Sequence, residues 1–228
     1  MSRAVFVAGS HTDVGKTHVA CALIQAARQA GLTVDALKPV VSGFDTHDWG
    51  QSDPGRLLAA LDQPPTPEAL EDMSPWRFAA ALAPPMAARI ETRPLPLAPI
   101  AGFCGARIDQ SPADLMVVEG VGGLMSPLAD GATGLDLMLL LGLPVVLVGG
   151  SYLGAISHTL TALEALRGRD LAVAALVVSQ SADPEAPDFA STVAMIGEFA
   201  RGCGVIAASR ADKAGWPRAL WSRLSGGA

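Results

Sequence analysis

Charge, aromatic rings and cysteine are all scarce in this sequence. Asp, Glu, Lys and Arg make up only 17% of the 228 residues against 50% hydrophobic ones, so a large core can form and the few charges left stand out. The net charge of −6 and pI near 5.1 give no basic footprint for nucleic acid or an anionic membrane. An anionic ligand must therefore be held by a few placed cations. Three cysteines, Cys21, Cys104 and Cys203, lie far apart without a C-x-x-C pair, which excludes a disulfide framework and a cysteine zinc site and leaves reduced, mostly buried thiols. Trp49, Trp76, Trp216 and Trp221 are too scattered for a base-stacking platform. No run approaches the ~20 apolar residues of a spanning helix, and the apolar stretch at Ala4–Gly9 is too short for a signal peptide. The expectation is a soluble cytoplasmic protein with no nucleic-acid or membrane partner.

What the sequence does contain is concentrated near its start. An apolar β-type run, Ala4-Val5-Phe6-Val7-Ala8-Gly9, breaks into Ser10-His11-Thr12-Asp13-Val14 and ends in Gly15-Lys16-Thr17. That is the outline of a phosphate-binding loop: backbone N–H groups wrap a polyphosphate, Lys16 brings a charge to the outer phosphates, and Thr17 offers a hydroxyl to Mg²⁺. The helix expected from about Lys16 to Ala30 aims its positive end at the same anion. The strict G-x-x-x-x-G-K-[ST] spacing fails by one, because Ser10 stands where the first glycine belongs and Gly9 precedes it. An ordinary helix start capped by Thr12 or Asp13 is the plain alternative.

Strand-like and helix-like segments alternate along the rest of the chain, which predicts an α/β fold, a mostly parallel sheet with helices on both faces, in one domain spanning 1–228. Gly31 closes the first helix, and Thr33 to Val40 reads as the second strand together with its exit, which puts Lys38 at the strand's carboxyl end, where ligands bind in open sheets. Residues 42–55 read as a loop into a helix near Asp53 to Leu61. The Pro-studded section 63–99 reads as short helices and turns, either a cover over the sheet or a lid. Asp114 to Glu119 is a strand ending in an acid and the turn Gly120-Val121-Gly122-Gly123, where a carboxylate suits a metal beside the phosphate loop. Strands follow at Leu143–Gly149, Leu171–Val178 and Val205–Ala208, with helices at Ala155–Leu166 and Asp188–Arg201 and a frayed end at Ser225–Ala228. His18 and His158 lie on apolar helices and read as packing residues, and His47 as exposed loop.

Taken together these pieces resemble the dethiobiotin synthetase family, whose loop has the form Gly-Thr-Asp-Thr-x-Val-Gly-Lys-Thr and shares the displaced first glycine. The resemblance continues through Lys38-Pro39-Val40-Val41-Ser42-Gly43, Ser52-Asp53, Val118-Glu119-Gly120-Val121-Gly122-Gly123 and Leu153-Gly154-Ala155-Ile156-Ser157-His158-Thr159, and covers about residues 4 to 180. It implies a P-loop NTPase-type fold and an ATP- and Mg²⁺-dependent ligase of biotin biosynthesis. In that reaction 7,8-diaminononanoate takes up CO₂ as a carbamate, ATP phosphorylates the carbamate to a mixed anhydride, and the second amine closes the ring.

Carried over to this sequence, the resemblance makes Lys16, Lys38, Thr12 and Ser42 the catalytic residues. Asp13, Val14, Gly15, Lys16, Thr17, His158, Ser179 and Gln180 become nucleotide contacts, and Thr17, Asp53 and Glu119 the Mg²⁺ ligands. Ser42, Gly122, Leu153, Gly154, Ala155 and Ser157 fall on the substrate, in a homodimer whose interface receives the substrate's tail. Departures from the pattern are His11 in place of Asp, Ala83-Pro84-Pro85 in place of Ser-Pro-His, Ser157 in place of Asn, and Ser179-Gln180 where an Asn-Asp pair reads adenine. A partitioning- or targeting-type ATPase switch is the alternative reading, but its signature loop lysine falls at the position of His11 here.

Overall fold

β1 (Arg3–Gly9) runs through the middle of a six-stranded sheet in the computed structural model, which describes residues 3–226. Its neighbours are β5 (Leu115–Glu119) on one side and β8 (Val145–Gly149) on the other; β2 (Val34–Leu37) lies beyond β5, while β9 (Val173–Ser179) and β10 (Val205–Ala208) lie beyond β8. All these pairings are parallel. The chain leaves β1 toward one edge and later returns to build outward on the other side, so the switch point of the sheet lies at the carboxyl end of β1.

Two cores follow from the pleat. Val5 and Val7 face one layer with Val117, Val146 and Val177, and Ala4, Phe6 and Ala8 face the other with Val118, Leu147 and Val178. Every residue of β5 and β8 is buried, which is why these strands read as unbroken apolar runs rather than alternating ones. The first layer is closed by α1 (Lys16–Gln29), α2 (Asp53–Ala60) and α9 (Gly215–Ser225), through Val19, Leu23, Leu57, Trp216 and Leu220. The second is closed by α5 (Leu97–Gln110), α6 (Gly134–Leu141), α7 (Ala155–Arg167) and α8 (Phe189–Phe199), through Ile100, Leu137, Leu163 and Ile196. Each fully buried side chain of this size contributes about 1.5–3 kcal/mol.

The second strand ends beside Lys38, where its exit is expected. It stops at Leu37, and the chain turns at Lys38-Pro39 before β3 (Val40–Ser42), which pairs not with the main sheet but with β4 (Trp76–Phe78). Proline cannot donate to a ladder, so the break falls there. The Pro-rich section holds α3 (Pro67–Met73) and α4 (Pro84–Ile90), each opened by a proline in its first turn. Leu70, Phe78, Ala87, Ala88 and Leu95 are buried in the two cores, so this section is a packed cover. The small hairpin β6 (Pro127–Ala129) and β7 (Ala132–Thr133) leads into α6, which opens with a capping box between Thr133 and Asp136. Ser225 is not frayed but ends α9; Gly227 and Ala228 lie outside the described residues.

Candidate functional site

The loop between β1 and α1 is shaped by two glycines. A Cβ on Gly9 would lie 2.9 Å from both the His11 carbonyl oxygen and Lys16 Cδ, so the stem of Lys16 crosses the position where a side chain would stand. This is the physical reason for the displaced first glycine. Gly15 caps α1 at φ +94°, and a Cβ there would meet Ser179 Oγ at 2.5 Å. Neither Thr12 nor Asp13 caps the helix with its side chain. The loop is pinned by backbone bonds from Ser10 N to the Val148 carbonyl and from Leu124 N to the Gly9 carbonyl, each 2.9 Å.

Four charged groups from four different elements meet at this loop. Lys38 leaves the end of β2 and is 1% exposed; its Nζ lies 2.6 Å from Oε1 of the fully buried Glu119, 3.0 Å from Asp53 Oδ2, and donates to the Gly120 carbonyl at 2.9 Å. Burial alone would lower the Lys38 pKa, but the two carboxylates outweigh it and hold the ammonium above the ordinary lysine range. For Asp53, burial pushes upward and the Lys38 charge, with its hydrogen bond, wins and leaves the carboxyl below its ordinary range. Lys16, also buried, has no ion-paired carboxylate among the described residues and donates to the His11 carbonyl at 3.3 Å. Desolvation, followed by repulsion from Lys38, pushes its ammonium down to about 8.

Thr17 completes the cluster. Its Oγ lies 2.8 Å from both Asp53 Oδ1 and Glu119 Oε1, yet one hydroxyl carries one proton and can donate to only one carboxylate at a time. Glu119 Oε2 is buried with no hydrogen-bond partner among the described residues. A hydroxyl, two carboxylates and an orphaned buried oxygen form a hard, oxygen-only donor set that suits Mg²⁺ shared with phosphate. α2 delivers Asp53 because Ser52 caps it, accepting from Gly55 N at 3.2 Å, with Pro54 in the first turn.

Two cavities flank the loop. One of about 780 Å³ runs from Asp13–Thr17 past Asp53 to Ser179, Gln180, Arg210 and Trp216. The other, about 480 Å³, is lined by His11 and Thr12 of the loop with Gly123, Leu124, Met125, His158 and Ala162 among others.

A profile of the family described as AAA domain matches residues 3–207. Among solved structures the chain is similar to the MinC:MinD cell division protein complex of Aquifex aeolicus, at TM-score 0.55 and 9% identity over 96% of this chain and 86% of that one. It is also similar to the signal recognition particle receptor FtsY of Elizabethkingia anophelis, at 0.52 and 14% over 98% and 66%. These likenesses show the fold. Curated relatives go further: the chain is 57% identical, over 99% of its length and 96% of the relative's, to the ATP-dependent dethiobiotin synthetase BioD of Phenylobacterium zucineum. It is 52% identical over 92% and 93% to the protein of that name from Caulobacter vibrioides strain NA1000 / CB15N. The chain belongs to the dethiobiotin synthetase family.

The structure brings together most of the residues expected at the site. Asp13, Val14, Gly15, Lys16, Thr17, Asp53, Ser179 and Gln180 line the larger cavity, and Lys38 and Glu119 lie buried behind Lys16 and Thr17. Thr12 opens on the smaller cavity. His158, read as a packing residue and carried over by resemblance as a nucleotide contact, is exposed and lines the smaller cavity, its ring stacked on His11 at 5.4 Å and bonded to the Tyr152 hydroxyl at 2.7 Å. His18 is exposed rather than packed away, tilted against Trp216 and lining the larger cavity. Ser42 ends β3 outside the lining of both cavities. Gly122 is held at φ +65° against Ser126, and its neighbour Gly123 is the one that lines the smaller cavity. Gly154 caps α7 at φ +95°; Ala155 is buried, while Ser157 is exposed and Leu153 is 88% exposed. Sequence reasoning missed Tyr152, Arg56, Arg210 and Lys213 on the rims. Only the position of Tyr152 between a strand end and a helix start could have signalled one of them.

Proposed function

We propose that this chain, as one domain, is an ATP- and Mg²⁺-dependent dethiobiotin synthetase acting on 7,8-diaminononanoate and CO₂. The observation that carries the reading is the meeting of Lys16, Lys38, Thr17, Asp53 and Glu119 at the phosphate loop of a chain 57% identical to a named dethiobiotin synthetase. The alternative of an ATPase switch is not favoured by these relatives.

The chemistry asks for what these residues supply. One amine of the diamine adds to CO₂ and loses a proton, giving a carbamate. A carbamate oxygen then attacks the γ-phosphorus as ADP departs, and the second amine attacks the carbamic carbon, expelling phosphate and closing the cyclic urea. Carbamate and triphosphate are both anions, and two unit charges at 4 Å and an effective dielectric near 20 repel by about 4 kcal/mol. Lys16 and Lys38 offset that repulsion from either side, and their burial before the reaction removes the cost of reorienting solvent. Asp53 and Glu119 keep Lys38 charged. Thr17, Asp53 and Glu119 would hold Mg²⁺, which neutralises the phosphate oxygens. The apolar walls of the smaller cavity, Leu124, Met125 and Ala162, suit the substrate's alkyl chain, and Ser10, His11 and Thr12 of the phosphate loop line the same cavity. Ser179 and Gln180 suit the base end of the larger cavity. The exposed Leu153 at the start of α7 is placed to meet a second copy of the chain, in keeping with a homodimer. A cytoplasmic location fits these substrates, and no helix among the described residues is long and apolar enough to cross a membrane.

Incubating the protein with the diamine, bicarbonate, ATP and Mg²⁺ and analysing by mass spectrometry tests the reading. Dethiobiotin that appears only when all four are present is expected; its absence overturns the assignment.

A further inference from the structure

Gln180 follows the last residue of β9 and lines the larger cavity. Its side-chain orientation is settled by its neighbours. Oε1 accepts the Arg210 backbone N–H at 2.8 Å and the Ser209 hydroxyl at 3.2 Å, while that hydroxyl accepts from Ala211 N at 3.2 Å. A backbone N–H can only donate, so the atom facing it must be the amide oxygen. The residue is locked further: its own N–H donates to the Ala208 carbonyl at 3.1 Å, and its carbonyl accepts from Arg210 Nε at 3.2 Å. Gln180 therefore has its acceptor committed to the 209–211 turn, and only its NH₂ remains for a ligand.

Resting on the synthetase reading, we infer that this base site accepts 6-oxopurine nucleotides as well as ATP. An amide selects adenine by a two-point contact, accepting from the N6 amino group while donating to N7. With Oε1 occupied, the N6 amino group finds no acceptor at Gln180. A 6-oxopurine presents acceptors at both O6 and N7, and both match an NH₂ donor. The neighbouring Ser179 packs against Gly15 of the phosphate loop, so the amide and the triphosphate site are held in one frame.

The test compares kcat/KM for ATP and ITP at saturating diamine and bicarbonate, with dethiobiotin as the readout, alongside thermal shifts of the protein by ADP and IDP. ITP within tenfold of ATP is expected, with similar thermal shifts; a larger deficit for ITP in both overturns the inference. Gln180→Glu replaces the donor with an acceptor. The ITP to ATP ratio should fall at least fivefold in that variant, whereas a merely structural role would lower both nucleotides together and leave the ratio unmoved, which contradicts the inference. If no nucleotide yields dethiobiotin, the synthetase reading fails, and the ADP and IDP shifts still decide the base site.

Discussion

Replacing Lys16 by methionine should make the nucleotide-free protein more stable while removing its activity. Lys16 is buried against Lys38, and burial together with that repulsion lowers its pKa from 10.5 to about 8. At about 1.4 kcal/mol per pH unit, holding this ammonium charged at pH 7 costs about 3 kcal/mol. Methionine keeps the length of the stem and gives up the 3.3 Å bond to the His11 carbonyl, so a gain of about 2 kcal/mol is expected. For a chain of this size that is a rise in Tm of ~4–8 °C. The pH dependence has a definite sign. The native state releases the Lys16 proton near 8 and the unfolded chain only near 10.5, so between those values the unfolded state binds more protons and wild-type stability rises with pH. The advantage of Lys16→Met should therefore be full at pH 7 and shrink toward pH 10. Adding ADP at 100 times its Kd should reverse the order, raising the wild type by about 2.7 kcal/mol and leaving the variant unmoved. Calorimetric unfolding of both proteins at pH 7 and pH 10, with and without ADP, reads all of this. A variant less stable than wild type at pH 7 without nucleotide, or a gap that ignores pH, would refute the reasoning.

Three further outcomes follow from the same cluster and its surroundings. Glu119→Gln leaves Lys38 with Asp53 as its remaining carboxylate partner, so urea unfolding should show a loss of about 3 kcal/mol and turnover should need more Mg²⁺; unchanged values for both would remove Glu119 from the cluster's function. Gly15→Ala forces a side chain into φ +94° and onto Ser179 Oγ, and ADP affinity by titration calorimetry should drop at least ~10-fold, at about 1.4 kcal/mol per decade. Tyr152→Phe removes the 2.7 Å bond by which Tyr152, on the rim of the larger cavity, holds His158 in the smaller one. The KM for the diamine should then rise about fivefold, for about 1 kcal/mol, with the KM for ATP unmoved; the opposite split would place Tyr152 on the nucleotide.

The parts of the fold legible in the sequence were those governed by local pattern. The buried strands β1, β5 and β8 announced themselves as apolar runs ended by glycine or an acid, and α1 and α7 as apolar-rich runs opened by Gly15 and Gly154. The helices α5, α6 and α9 went unread. α5 begins among prolines and carries two glycines, and α6 is apolar nearly all round, so neither shows a clean helical stripe. The pairing of β3 with β4 was not legible, since the turn at Lys38-Pro39 says nothing of where the run Val40–Ser42 finds its partner.

At the site, the phosphate loop, Lys38, Asp53 and Glu119 were each legible as a charge at a strand end or helix start. Their convergence was not, since Lys38 and Glu119 meet across 81 residues of sequence. The positions of His11, Tyr152 and His158 depend on how α7 packs beside the loop, which spacing alone does not encode. The commitment of the Gln180 oxygen depends on the 209–211 turn, which is brought alongside only by the pairing of β9 with β10.

The most direct test of the central claim is the ratio of phosphate released to dethiobiotin formed as 7,8-diaminononanoate is titrated into protein, ATP, Mg²⁺ and bicarbonate. The synthetase account predicts one phosphate for each cyclic urea and little release before the diamine is added. Release that ignores the diamine and yields no cyclic urea would contradict it.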